Sequence, residues 1–203
     1  MNTPDCDQGG EIWLKMRAGR ATASNFHKIL AKGQGKTRAG YLLQVAAERL
    51  TGQPTDTYKN GHMERGNEQE PQARELYERI NKVMVETVGL ILHDDLLVSG
   101  SPDGLIGDDG GMEIKSVIPT VQLETIKAGG YPSEHKAQIQ GNLWISGRTW
   151  WDFVSYCEPM PAHLQIYTFR VIRDEVYISN MEAETRSFLD DVQSFLNSLP
   201  QPF

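Results

Sequence analysis

Apolar residues recur along this chain with two different periods. Between about His62 and Ile80 they return every three or four residues (Met63, Gly66, Ala73, Tyr77, Ile80), which predicts a helix with one apolar stripe. Glu70 is the one charged residue on that stripe. Further helices are predicted from a Thr22 or Ser24 cap through Leu30, over Tyr41–Leu50, about Thr120–Ala128, Ser133–Ile145 and about Glu182–Leu199, the last amphipathic and acidic. Gly33-Gln34-Gly35 breaks the first of these, and 51–61 reads as a polar loop.

Trp150–Cys157 and Gln165–Ile172 alternate in the period-two manner of strands, and Val83–His93 and Leu96–Ser99 are rich in Val, Leu and Ile. Ser101–Gly111 is a turn crowded with Gly and Asp, and Met112–Ile118 reads as the returning strand of a hairpin. Helices, hairpin, helices, two strands and a last helix suit an α/β (α+β) fold with a mixed central sheet flanked by helices. With no repeat, no low-complexity tract and no long linker, residues 1–203 are read as a single domain.

Composition narrows the setting. With 39% hydrophobic and 23% charged residues the chain is ordinary for a globular protein. No run of about 18 apolar residues exists, which excludes a transmembrane helix on length. Met1–Gly10 is polar and acidic and lacks the layout of a signal peptide, so a cytoplasmic location and no membrane partner are expected. Cys6, in a tail expected to be loose, and Cys157, after an apolar strand, predict no structural disulfide. Two cysteines are also too few for a four-Cys iron–sulfur cluster.

Taken as a total, the net charge of −7 disfavours a nucleic-acid partner, but its distribution reverses that. Residues 11–50 hold eight Lys/Arg against two acids, a balance of +6, whereas 174–203 hold six acids against Arg186, a balance of −5. Phosphate binding depends on where positive charge sits. Two solvated faces of opposite sign explain the same numbers.

The candidate chemistry lies in Ser101-Pro-Asp-Gly104 and Met112-Glu-Ile-Lys115. Residues two apart on a strand share a face, so Glu113 and Lys115 project together, and the hairpin returns Asp103 beside them. Converging carboxylates repel, and a hard oxygen-seeking cation such as Mg²⁺ resolves the repulsion. An adjacent ammonium orients water and stabilises developing charge. A plain hairpin with a surface ion pair accounts for the same residues. Glu70 is open to two readings, a metal-site carboxylate or a salt bridge to Arg74 one turn on. Gln140 reads as harmless helix polarity, and Gln138 as an amide aimed at water or phosphate.

Four ordered blocks resemble the phage lambda exonuclease/YqaJ family of viral recombination nucleases, within the PD-(D/E)XK superfamily. They are Trp13-Leu-Lys-Met-Arg17 with Thr22-Ala-Ser24; Arg65-Gly66, Glu70 and Ala73-Arg74; Ser101–Gly104 with Glu113-Ile-Lys115; and Gln138–Trp144 running into Trp150–Tyr156. The resemblance implies a restriction-endonuclease-like core. It implies that Asp103, Glu113 and the Ile114 carbonyl hold metal, with Glu70 at a second ion. Lys115, aided by Gln138, would position the attacking water. It further implies two Mg²⁺ ions with Mn²⁺ able to substitute, and a terminal 5′-phosphate pocket of Arg17, Ser24 and Ser101.

The activity implied is 5′→3′ digestion of double-stranded DNA ends to mononucleotides. The 3′ single strand left behind is expected to pass to a single-strand annealing protein, and the nuclease to form a homotrimeric ring. Arg17 paired to Glu11 on the surface is the bland alternative, and Trp13, Trp150 and Trp151 suit a core or an interface. The chain departs from some relatives at Ser116–Val121, where they carry a basic residue. An endonuclease or nickase of the same superfamily, or a non-catalytic DNA-end-binding scaffold, are the rival readings.

Overall fold

In a computed structural model, the structure describes residues 1–31, 35–55 and 61–200, with the backbone alone at 61–64 and 67. Helix α1 (Glu11–Arg17) leads into the short strand β1 (Ala21–Thr22), helix α2 (Phe26–Ile29), helix α3 (Lys36–Thr51) and the long helix α4 (Gly61–Asn81). Strands β2 (Val85–Glu86), β3 (Ile91–Leu92), β4 (Val98–Gly100), β5 (Gly104–Ile106) and β6 (Gly110–Ser116) follow. Helices α5 (Pro119–Ala128) and α6 (Lys136–Ser146), strands β7 (Trp150–Tyr156) and β8 (Ile166–Ile172), and helix α7 (Glu175–Ser198) complete the order.

Five strands in the order β2-β5-β6-β7-β8 form the main sheet, with β6 and β7 parallel and the other pairs antiparallel. A second sheet, β1-β4-β3, stands beside it. This is the mixed, helix-flanked sheet expected. Both faces of the main sheet are buried. On one, Ala73 and Tyr77 of α4 pack on Met112, Ile114 and Val154. On the other, Leu105, Trp151 and Phe153 join a larger core with α2, α3, α6 and α7. Side chains alternate across the sheet, so β6 sends Met112 and Ile114 into the first core and Glu113 and Lys115 toward α6. Gly111 is required where it stands: a Cβ there would overlap the Trp151 ring.

Several boundaries move. The span Val83–His93 is two short strands in different sheets, β2 and β3, because the chain leaves one sheet at Thr87–Gly89 and joins the other. The stretch Ser101–Gly111 holds the strand β5, so the hairpin turn is only 107–109. Helix α1 escaped the periodicity because it is short and has no fully buried residue. Helix α3 starts at Lys36 and α7 at Glu175, both earlier than the apolar pattern indicates. Ile80, placed on the apolar stripe, is exposed at the end of α4, while the side chain of Met63 and parts of the 33–35 and 51–61 spans lie outside the described residues.

The N-terminal segment is tied down rather than loose, with the Leu92 N–H donating to the Asn2 carbonyl at 2.8 Å. Trp151 is fully buried, whereas Trp150 carries the Arg170 guanidinium 3.6 Å above its ring. The basic and acidic ends of the sequence touch, since Arg38 of α3 pairs with Asp191 of α7 at 2.8 Å. Among the described residues no helix is long and apolar enough to cross a membrane.

Candidate active site

The β5–β6 hairpin pairs Gly104 with Met112, which sets Asp103 opposite Glu113 just beyond the last paired residues. A bond from the Ile114 N–H to Asp103 Oδ2, 2.6 Å long, closes that corner. Glu113 is only 2% exposed. Its Oε1 accepts from Lys115 Nζ and from Gln138 Nε2, each at 2.6 Å. Gln138 Oε1 lies 3.5 Å from Lys115 Nζ, so carboxylate, ammonium and amide form a triangle between β6 and α6. The other carboxylate oxygen, Glu113 Oε2, is buried with no hydrogen-bond partner. A buried carboxylate oxygen left bare is costly unless a cation or a water fills it.

The remaining charges press on the same point. Burial, followed by the Glu113 and Glu70 carboxylates, holds the Asp103 carboxyl well above its ordinary range. Burial also raises Glu70, against the opposing pull of Arg74. For Lys115 burial works to lower the ammonium, but Glu113, Asp103 and Glu70 outweigh it and raise the group. The salt bridge of Glu70 to Arg74 forms, and the same carboxylate lies within the field of Glu113 and Asp103. Arg74 reaches further, donating from Nε to the Asp103 carbonyl at 3.2 Å, and so ties α4 to the Asp103 corner.

Sequence reasoning missed that link, and also His135, which stacks on Phe153 with ring centroids 5.5 Å apart. Burial and the nearby Lys115 charge push His135 down to about 4. An Arg on the buried side of a helix, one turn from a carboxylate, was the available sign for Arg74. No comparable sign marked His135.

Asp103 and Glu113 are oxygen donors of the kind Mg²⁺ takes, and the bare Glu113 Oε2 is where an ion fits. Among the described residues no three His, Cys, Asp or Glu side chains are gathered closely enough to form a ready-made metal centre. Mg²⁺ commonly takes one or two protein carboxylates and leaves its other positions to water and substrate phosphate. A cavity of about 550 Å³ opens beside Asp103, walled by Glu70, Arg74, Pro102 and the N-terminal residues Asp5 and Asp7.

Arg17 and Ser101, two of the three residues expected at the phosphate pocket, meet around Trp13. Its indole N–H lies 2.8 Å from the Gly89 carbonyl and 3.1 Å from Ser101 Oγ. The Arg17 guanidinium sits over the Trp13 ring at 4.1 Å. Ser24, exposed, follows β1, which runs parallel to β4 and thus ends beside Ser101. The surface pairing of Arg17 with Glu11 does not form, because Glu11 pairs with Lys15 at 2.7 Å. Trp13 lies half-buried between Arg17 and Ser101.

The sequence profile of the YqaJ-like viral recombinase domain matches residues 12–149, a span that contains Trp13, Arg17, Ser24, Glu70, Ser101, Asp103, Glu113, Lys115 and Gln138. The chain belongs to that family. Among solved structures, this family member is similar to an alkaline exonuclease (LHK-Exo) from Laribacter hongkongensis, at 35% identity over 93% of this chain and 95% of that one, with a TM-score of 0.86. The same exonuclease in complex with dAMP superposes with a TM-score of 0.87 at 35% identity, over the same shares of both chains. A phage-related exonuclease from Haemophilus somnus 129PT shares the fold at 16% identity, with a TM-score of 0.64 over 87% of this chain and 96% of that one. No curated protein sequence matches the chain. Family and neighbours together make the recombinase-domain chain a nuclease.

Proposed function

We propose that this chain is a Mg²⁺-dependent exonuclease that degrades double-stranded DNA from 5′-phosphorylated ends, releasing mononucleotides and leaving a 3′ single strand for recombination. The observation that carries the reading is the bare Glu113 Oε2 beside Asp103, with Lys115 and Gln138 on the same carboxylate. Asp103 and Glu113, with the Ile114 carbonyl, would hold the ion, and Glu70 would support a second one. Bound there, Mg²⁺ lowers the pKa of water and neutralises charge on the phosphoryl oxygens, a role Mn²⁺ could also fill.

This chain's own groups do the rest. Lys115 and Gln138 hold the attacking water, which enters at phosphorus as the bond to the 3′-oxygen breaks and that oxygen takes up a proton. Lys115, kept charged by its carboxylate neighbours, offsets the negative charge that grows on the phosphoryl group. Arg17, Ser24 and Ser101 bind the terminal 5′-phosphate and so set which bond lies over Asp103. The DNA end is the partner assigned here. A single-strand annealing protein and a homotrimeric ring are carried over from the family resemblance.

The test is digestion of linear duplex DNA with Mg²⁺, comparing 5′-phosphorylated with 5′-hydroxyl ends and including a covalently closed circle. Loss of linear DNA, faster from phosphorylated ends, with the circle intact, is the expected result. Cutting of the circle would make the chain an endonuclease, and no cutting of any substrate would make it a binding scaffold.

A further inference from the structure

A guanidinium and a serine hydroxyl near one another are usually spent on the protein's own acceptors, and then neither is left for an anion. Here both are held without being spent. The indole N–H is a donor only, so in its 3.1 Å contact with Ser101 Oγ the serine accepts and its own hydroxyl proton stays free to donate. The Trp13 ring face attracts the Arg17 guanidinium at 4.1 Å without using any of its N–H groups. Among the described residues the Arg17 side chain makes no ion pair and no hydrogen bond, so all its donors remain available. The same indole N–H also reaches the Gly89 carbonyl at 2.8 Å, a second contact that holds the ring in place. Gly89 in turn is gripped by the N-terminal segment: a Cβ at that position would overlap the Cys6 carbonyl oxygen.

We infer that Trp13 is the positioning residue on which the phosphate pocket is built, orienting Arg17 through its ring face and Ser101 through its N–H. The inference rests on the 5′-phosphate reading above and deepens it: selectivity for a phosphorylated end is assigned to an indole that touches no phosphate. Trp13→Phe keeps the ring face and deletes the N–H, while Trp13→Leu deletes both.

The probes are short duplexes with a 5′-phosphate or a 5′-hydroxyl end. Their binding to the full chain is measured by fluorescence anisotropy in EDTA at one ionic strength, so that cleavage plays no part. The ratio of the two affinities is the readout. Trp13→Phe should lower that ratio about fivefold through loss of one hydrogen bond. Trp13→Leu should lower it about tenfold or more, toward the ratio of Arg17→Ala. A general loss of fold would weaken both duplexes in parallel, leave the ratio unchanged and lower the melting temperature, which would overturn the inference. A ratio preserved in both variants, with a clear preference in the wild type, would overturn this inference alone. The absence of any preference in the wild type would overturn it together with the phosphate-pocket reading.

Discussion

Glu113 and Lys115 stand 2.6 Å apart on one face of β6, and the carboxylate oxygen that Lys115 does not reach is the one left without a partner. The lysine therefore neutralises the buried carboxylate from one side and leaves the other side to a cation. Removing the two residues has unequal consequences for the metal-free protein. Lys115→Ala strands a buried charge and should cost about 3–5 kcal/mol of stability. Glu113→Gln removes the charge and should cost far less. Both should lower nuclease turnover by about 10²-fold or more. Thermal melts with and without Mg²⁺ separate the two: the ion should raise the melting temperature of the wild type and leave that of Glu113→Gln unmoved.

The Asp103 carboxyl sets a pH dependence whose sign is opposite to that of an ordinary paired aspartate. Its folded-state pKa lies above the usual value of 3.8, so the folded protein holds the proton more tightly than the unfolded chain does. Ionisation then costs stability as pH rises from about 3.8 through the raised value. Asp103→Asn should flatten that part of the stability curve in EDTA. Mg²⁺ competes with the same proton, so its apparent affinity and the nuclease rate should both rise with pH over that interval, as a metal titration at several pH values would reveal.

His135 responds in the other direction. Held down at about 4, against an ordinary 6.5, it stays neutral at neutral pH, and the folded state loses stability as pH falls from 6.5 toward 4. His135→Phe keeps a ring against Phe153 and should remove that loss, which urea melts at pH 7 and pH 5 would measure.

Away from the site, Asp152 is buried on the α4 face of the sheet, accepting from Tyr77 Oη at 2.6 Å and from Arg170 at 2.8 and 2.9 Å. Tyr77→Phe withdraws one of these donors and should cost about 1–2 kcal/mol of stability, with turnover per folded molecule unchanged. Chemical denaturation alongside a nuclease assay checks both halves.

The parts of this molecule that were legible in its sequence are those governed by local rules. The two-residue strand period alone put Glu113 and Lys115 on one face, and the hairpin between the paired strands brought Asp103 to them, although its turn lies at 107–109 and not at Asp103-Gly104. The helical period marked Glu70 as facing inward. What stayed hidden depends on partners far along the chain. Trp13 finds Gly89 and Ser101 from a helix that buries nothing, so no periodicity singles it out. Arg74 meets Asp103 across the gap between α4 and β5. The division of Val83–His93 between two sheets follows from where the chain can pair, and both halves satisfy strand composition equally well.

Strand β6 borders two cores at once, with Met112 and Ile114 in one and Glu113 and Lys115 turned toward α6. A shift of its pairing by a single residue would exchange the two sets, driving a carboxylate and an ammonium under α4 and setting methyl groups beside Gln138 and Asp103. The hydrophobic pattern that holds the sheet in register is thus also what keeps Glu113 and Lys115 on the side of α6. An insertion or deletion within Gly110–Ser116 would silence the chemistry before it unfolded the protein, and no repair confined to the active site would restore it.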